Sequence, residues 1–214
     1  MKNNLLEKVK EIVVRQNSSP NPLSEEKIAQ QLGVSRTPIR EVLSHLQEEG
    51  LLERRHKKGI TLKEPSLREL IEIYDLRAVL EGLAVRLLAT EIDERTLKEL
   101  NSLAQNLNKI KESENTDYAE REKADITFHR KIIEKCSNKW LKKIIDNFHL
   151  ITLSFQLPHQ EEFKKKINFP HEDIVKALKN KDPKKAESAM RFHIQEGKEN
   201  LLKEILGPTI SSAL

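Results

Sequence analysis

LSEEKIAQQLGVSRTPIREVLSHLQEEGLL, residues 23–52, decides how the first part of this chain folds. Ser24 is placed to cap a short helix, with Glu25 and Glu26 in its first turn, where the helix dipole favours acids. Ile28, Ala29 and Leu32 recur at helical spacing, and Gly33 ends the run as a C′ glycine does. Only Val34 separates that stop from Ser35, a second N-cap. The helix that follows carries Ile39, Val42, Leu43 and Leu46 on one face and ends at Gly50. Two helices joined by so tight a turn form a helix–turn–helix, whose second helix offers its first turns to the DNA major groove.

Upstream, Leu5, Leu6, Val9, Ile12 and Val13 spell a helix over about 4–15, broken by Pro20-Asn21-Pro22. Downstream, Leu51–Arg55 and Ile60–Leu62 read as two short strands, with Lys57-Lys58-Gly59 as the turn between them. Residues 1–64 therefore read as a winged helix–turn–helix domain.

From Pro65 no strand signal appears. Ser66 caps a long helix to about Thr90, with Leu70, Ile71, Ile73, Tyr74, Leu76, Val79, Leu80, Leu83, Ala84 and Leu87 expected inward. Further helices are expected after Asp93, over about 117–135 and 138–157, from Pro170 to near Asn180, and from Pro183 to before Gly207. Residues 158–169 read as a loose basic stretch and 208–214 as a frayed tail. The expected fold is mainly α: a winged helix–turn–helix over 1–64, then an all-helical bundle of about six helices over 65–207.

Composition narrows the function. The 214 residues carry 38 Lys+Arg against 34 Asp+Glu, seven His and one Cys. A single Cys excludes an intramolecular disulfide framework and makes a reducing cytoplasm the expectation. No apolar run approaches the roughly 18 residues of a membrane span, so no membrane partner is expected. Met1-Lys2-Asn3-Asn4 lacks the charged, then apolar, then small-residue order of a signal peptide, so no secretory leader is expected. Residues 1–64 hold 12 Lys+Arg against 9 Asp+Glu, so they carry +3 of the net +4. The remainder is nearly neutral, a distribution that suits DNA at one end and a sensor at the other.

Arg36, Thr37 and Arg40 occupy the exposed first turns of the second helix, and the two Arg, four apart, share a face. Arg can fork onto guanine or clamp phosphate, and Thr can meet phosphate or a thymine methyl. Lys57 and Lys58 give the wing a basic tip, where Gly59 lets backbone approach phosphate. Either Arg alone would read as a solvated helix residue; the joint layout favours DNA. This near-continuous pattern over about residues 5–64 resembles the winged helix of the GntR family of bacterial transcriptional regulators. The resemblance implies DNA contacts by Arg36, Thr37 and Arg40, with Ser35 as cap and phosphate contact together. It also implies a basic residue early in the preceding helix, here Lys27, which can hold phosphate but lacks the bidentate fork of Arg.

In the helical region Asp125 and His129 are four apart on one helix, His171 opens another and His193 lies inside the last. Carboxylate and imidazole converging from separate helices build metal sites in bundles. Such a donor set suits Zn, Ni, Fe, Co or Mn and offers no thiolate. Spacing alone leaves two readings open, because Asp-x-x-x-His is common on helices and a His near an apolar face is more often a packed core residue. Arg77 could fork onto a carboxylate or pair with Glu81 at i+4; Asn138 could line a pocket or cap a helix. His149 reads as buried and hydrogen-bonded; Cys136 reads as an unreactive thiol and Met190 as packing.

The segments Tyr74–Glu81, Asp125-x-x-Phe128-His129, Cys136-Ser-Asn138, His171–Leu178 and Ala186-x-x-Ala189-Met-x-x-His193 resemble the ligand-binding (FCD) domain of FadR-type members of that family, over about residues 66–206. In the metal-containing branch the matching Asp and three His hold a divalent cation, and a small carboxylate effector docks beside it. The acyl-CoA-binding branch lacks those ligands. The resemblance thus implies a divalent transition metal, Zn, Ni or similar, on Asp125, His129, His171 and His193, and effector contacts by Arg77 and Asn138. It implies a homodimeric regulator, commonly a repressor, that reads a palindromic double-stranded operator and answers to a small organic acid. Two alternatives are a metal-dependent hydrolase fused to a DNA-binding module and an architectural DNA binder with a structural metal. No Ser-His-Asp, phosphate loop or Cys nucleophile pattern supports catalysis.

Overall fold

The computed structural model describes residues 2–16, 23–55, 59–112, 118–156 and 171–206. Among them the chain forms α1 (Lys2–Gln16), α2 (Glu25–Leu32), α3 (Arg36–Glu48), β1 (Leu52–Arg55), β2 (Gly59–Leu62), α4 (Leu67–Glu91), α5 (Glu94–Glu112), α6 (Tyr118–Lys135), α7 (Lys139–Gln156), α8 (Glu172–Lys179) and α9 (Pro183–Leu206). The mainly helical reading holds. No helix among the described residues is long and apolar enough to cross a membrane. Lys57 and Lys58, the 158–169 stretch and the 208–214 tail lie outside the described residues.

The chain divides into two units, residues 1–66 with 150–158, and residues 67–149 with 159–214. In the first unit the expected stops and caps operate. The Ser24 side chain accepts from the Lys27 N–H at 3.3 Å, and Gly33 takes the left-handed conformation that closes α2. Ser35 has the extended backbone of an N-cap, but its side chain makes no capping bond, a correction to its expected capping role. Val9, Val13, Ile28, Ile39, Leu43, Leu46 and Ile60 form one core, so the apolar face of α3 is buried and its first turns stay outside. Leu150 and Ile151, at the end of α7, also pack against this core. The expected division near residue 64 did not include that end of α7.

The wing is a two-stranded antiparallel ladder with Leu52 opposite Leu62 and Arg55 opposite Gly59. Gly59 has φ of 72°, and a Cβ there would lie 2.3 Å from the Leu23 carbonyl oxygen. That carbonyl accepts from the Ile60 N–H at 3.0 Å. Glycine is required here by the close approach of two backbones.

In the second unit α4 packs along α9, α5 against α6 and α8, and α8 against α9. The buried stripe of α4 differs from the expected one. Leu70, Tyr74, Arg77, Glu81, Ala84, Val85 and Leu88 face inward, whereas Leu76 is 50% and Val79 47% exposed. The helix is apolar on most sides, so periodicity could not tell which face admits a charged pair. α8 begins at Glu172 rather than at Pro170, with His171 in the cap position. The His171 ring is turned inward, edge-on to Phe128 with centroids 4.5 Å apart, and does not cap the helix.

Candidate functional site

The second unit gathers Asp125 and His129 from α6, His171 from the start of α8 and His193 from α9. One ligating atom from each lies within 4.8 Å of the others. The three His are buried, and Asp125 is partly exposed. His129 Nε2 lies 3.1 Å from His193 Nε2 and 3.7 Å from Asp125 Oδ2; His171 Nε2 lies 3.0 Å from Asp125 Oδ1. The sequence expectation brought these four residues together on spacing and resemblance, and the fold places them around one point.

The donor set fits a cation. Metal–nitrogen bonds of about 2.0–2.1 Å put neighbouring donors roughly 3.0–3.4 Å apart; the His129–His193 and His171–Asp125 separations, 3.1 and 3.0 Å, fall in that range, and His129 and Asp125 stand wider at 3.7 Å. Three imidazoles and one carboxylate make a nitrogen-rich set of borderline softness. Burial alone would raise the Asp125 carboxyl, but the charges of His129 and His171, with a hydrogen bond from His171, outweigh it and hold it well below the usual carboxylate range. Burial drives the His193 imidazole well down, and the neighbouring His171 and His129 drive it further, so it is held neutral, the form that ligates.

Behind His129 lies a residue that sequence reasoning passed over as a site member. Glu81, on the inward stripe of α4, places Oε2 2.6 Å from His129 Nδ1. Its Oε1 accepts from Arg77 Nε at 2.8 Å and lies 3.2 Å from His149 Nε2. Burial would raise the Glu81 carboxyl; Arg77, His129 and His149 together hold it well below its ordinary value. His129 is raised, because the attraction of Glu81 and Asp125 overcomes its burial. His149 is lowered by burial, which Glu81 offsets only in part. Glu81, His129 and His149 also form a group whose donors could hold a metal. The Arg77 guanidinium on Glu81 disfavours a second cation there.

Of the two readings of Arg77, the pair with Glu81 is formed, and both residues are buried. Asn138 caps α7, its Oδ1 accepting from the Trp140 N–H at 3.0 Å, and it is not in the group around Asp125. Of the two readings of Asn138, the helix cap is formed. A short polar side chain just before a helix satisfies an otherwise orphaned N–H. Cys136 is half-buried, its thiol pushed up by burial, and Met190 is fully buried.

The first unit presents Lys27, Ser35, Arg36, Thr37 and Arg40 as exposed residues on α2, the turn and the first turns of α3. Glu25, in the first turn of α2, lies 3.1 Å from Arg54 Nη2 and 3.8 Å from Arg36 Nη2. It draws a strand Arg and a recognition-helix Arg to one acid. No sequence signal could have found this, because Arg54 is 29 residues from Glu25.

Fold and site together define a DNA-binding regulator: a winged helix–turn–helix joined in one chain to a helical sensor unit. Comparison with known proteins makes the class specific. The GntR family of bacterial regulatory proteins matches residues 4–62, and the FCD domain family matches residues 72–196. The probable D-xylose utilization operon transcriptional repressor of Paenarthrobacter nicotinovorans is 31% identical over 179 residues, covering 81% of this chain and 76% of that protein. The gluconate operon transcriptional repressor of Bacillus licheniformis is 28% identical, covering 75% and 68%. The solved structure of E. coli McbR/YncC shares the fold with a TM-score of 0.71 at 23% identity, covering 94% of this chain and 98% of that one. The chain belongs to the GntR family, in the group with an FCD domain. It is a DNA-binding transcriptional regulator with an effector-binding domain, not an enzyme.

Proposed function

We propose that this protein is a homodimeric repressor whose operator binding is set by a small carboxylate bound at a divalent transition metal. The observation that carries the reading is the convergence of Asp125, His129, His171 and His193 on one point inside the second unit. The metal supplies a Lewis-acidic anchor for an anion. Charge supports the chemistry: Arg77 and Glu81 cancel, and a divalent ion on one carboxylate and three neutral imidazoles leaves one positive charge largely out of water. A monocarboxylate removes that charge and its desolvation cost. Arg77, whose Nε is engaged by Glu81, is the effector's guanidinium partner in this reading.

On DNA, Arg36 and Arg40 read bases, and Thr37, Ser35 and Lys27 hold the backbone. Lys57, Lys58 and Gly59 bring the wing to phosphate. A palindrome needs two copies, with half-sites about 34 Å apart. Exposed Leu76 and Val79 on α4 and Phe192 on α9 support self-association, since these two helices pack side by side. Repressor names among the relatives support repression, and the single Cys supports a cytoplasmic site of action.

Elemental analysis of protein never exposed to chelator tests the site. About one divalent ion per chain is expected, and its loss in an Asp125→Ala/His193→Ala variant that stays folded. Protein that holds no metal and takes none up contradicts the proposal.

A further inference from the structure

We infer that Glu81 is a positioning residue for the metal centre: its carboxylate fixes the proton of His129 on Nδ1 and so aims the Nε2 lone pair at Asp125, His171 and His193. The inference rests on the metal reading above, but it concerns a residue that makes no contact with the ion.

An ionised carboxylate only accepts hydrogen bonds. Glu81 Oε2 is 2.6 Å from His129 Nδ1, so Nδ1 must carry hydrogen and, in the neutral ring, Nε2 cannot. Oε1 meets Arg77 Nε at 2.8 Å and His149 Nε2 at 3.2 Å, so the carboxylate faces donors on both oxygens. Those donors come from α4, α6 and α7, which leaves Glu81 no rotational freedom and transmits that rigidity to the His129 ring. Glu81 is 1% exposed, so water does not compete for these bonds. A carboxylate behind a ligating imidazole fixes its tautomer and raises its basicity, and its removal lowers metal affinity by about 10–100-fold.

The same geometry argues against a second cation on Glu81, His129 and His149. His129 would have to surrender its Nδ1 hydrogen, and the guanidinium of Arg77 would lie against the ion.

The test uses the full-length chain. Cobalt(II) or zinc(II) affinity is measured by chelator competition for the wild type, Glu81→Gln and Arg77→Met/Glu81→Gln. Long-range proton–nitrogen spectra of the metal-free proteins, with His129 neutral, report its tautomer. Gln keeps the shape but offers one carbonyl oxygen where Glu81 has two acceptors, so His129 is released. The Arg77→Met/Glu81→Gln variant removes the uncompensated charge that Glu81→Gln alone would leave. We expect the wild-type ring protonated at Nδ1, mixed tautomers in both variants, and metal affinity lowered at least about tenfold in both. A merely structural Glu81 would lower the melting temperature and leave the tautomer and affinity alone. Affinities within about twofold of wild type, or a wild-type ring protonated at Nε2, overturn the inference while leaving the metal site standing. If the wild type takes up no metal, the metal reading fails and the tautomer decides alone: Nδ1 protonation lost in Glu81→Gln supports the positioning role, and its persistence overturns it.

Discussion

His193 gives the metal-free protein a defined response to acid. Burial and the neighbouring His171 and His129 hold its imidazole well below the ordinary value. The unfolded chain therefore binds a proton, near the ordinary value of about 6.5, that the folded chain refuses. That contribution to stability is present above about pH 6.5 and is lost as pH falls toward the folded value. Glu81 and Asp125 are also held low, but relative to carboxylate values of about 4, so their contribution survives until stronger acid. His129, being raised, contributes below about pH 6.5 and loses that contribution as pH rises through its folded value. The expected result is a melting temperature that falls between about pH 6.5 and pH 5. The decline should be shallower in a His193→Asn variant, the remainder coming from His149, which burial also lowers; a flat wild-type profile contradicts the assignment. At this scale the ligands were legible and their support was not. Asp125 and His129 announce themselves by an i,i+4 interval. Glu81 announces only a pair with Arg77, because its partners His129 and His149 are 48 and 68 residues away.

The wing and the recognition helix depend on single contacts that hold backbone in place. Gly59 combines a positive φ with a carbonyl where a Cβ would go. Gly59→Ala should destabilise the first unit by about 1–3 kcal/mol, read by urea unfolding of the full chain. An unchanged midpoint would show that the strand shifts freely away from Leu23. Ile39 is fully buried on the inner face of α3, and Ile39→Ala should cost about 2–5 kcal/mol in the same measurement. Helix ends were legible because Ser24, Gly33, Gly50 and Pro183 mark them chemically. The face of α4 was not, since Leu76 and Val79 are as apolar as the residues that do turn inward. Nor was the packing of Leu150 and Ile151 on the winged-helix core, which depends on tertiary structure and leaves no trace in local periodicity.

At the scale of the molecule, charge and chemistry are separated along the chain. The first 64 residues carry most of the net charge and present Arg36, Thr37 and Arg40; the second unit holds a buried cluster of His and acid. Arg36→Ala and Arg40→Ala should each weaken operator binding by about 1–3 kcal/mol while leaving metal content unchanged. An acid bound at the metal can shift DNA affinity only if its affinity differs between the DNA-competent and incompetent arrangements. The most direct measurement is fluorescence anisotropy of the metal-loaded, full-length protein on a palindromic duplex selected from random DNA, across salt concentrations and with a panel of small carboxylates. Tight, salt-sensitive binding is expected, preferring the palindrome to random duplex, shifting with at least one carboxylate, and losing that shift in Asp125→Ala/His193→Ala. Equal affinity for palindromic and random DNA, or a carboxylate response that survives removal of the metal ligands, would contradict it.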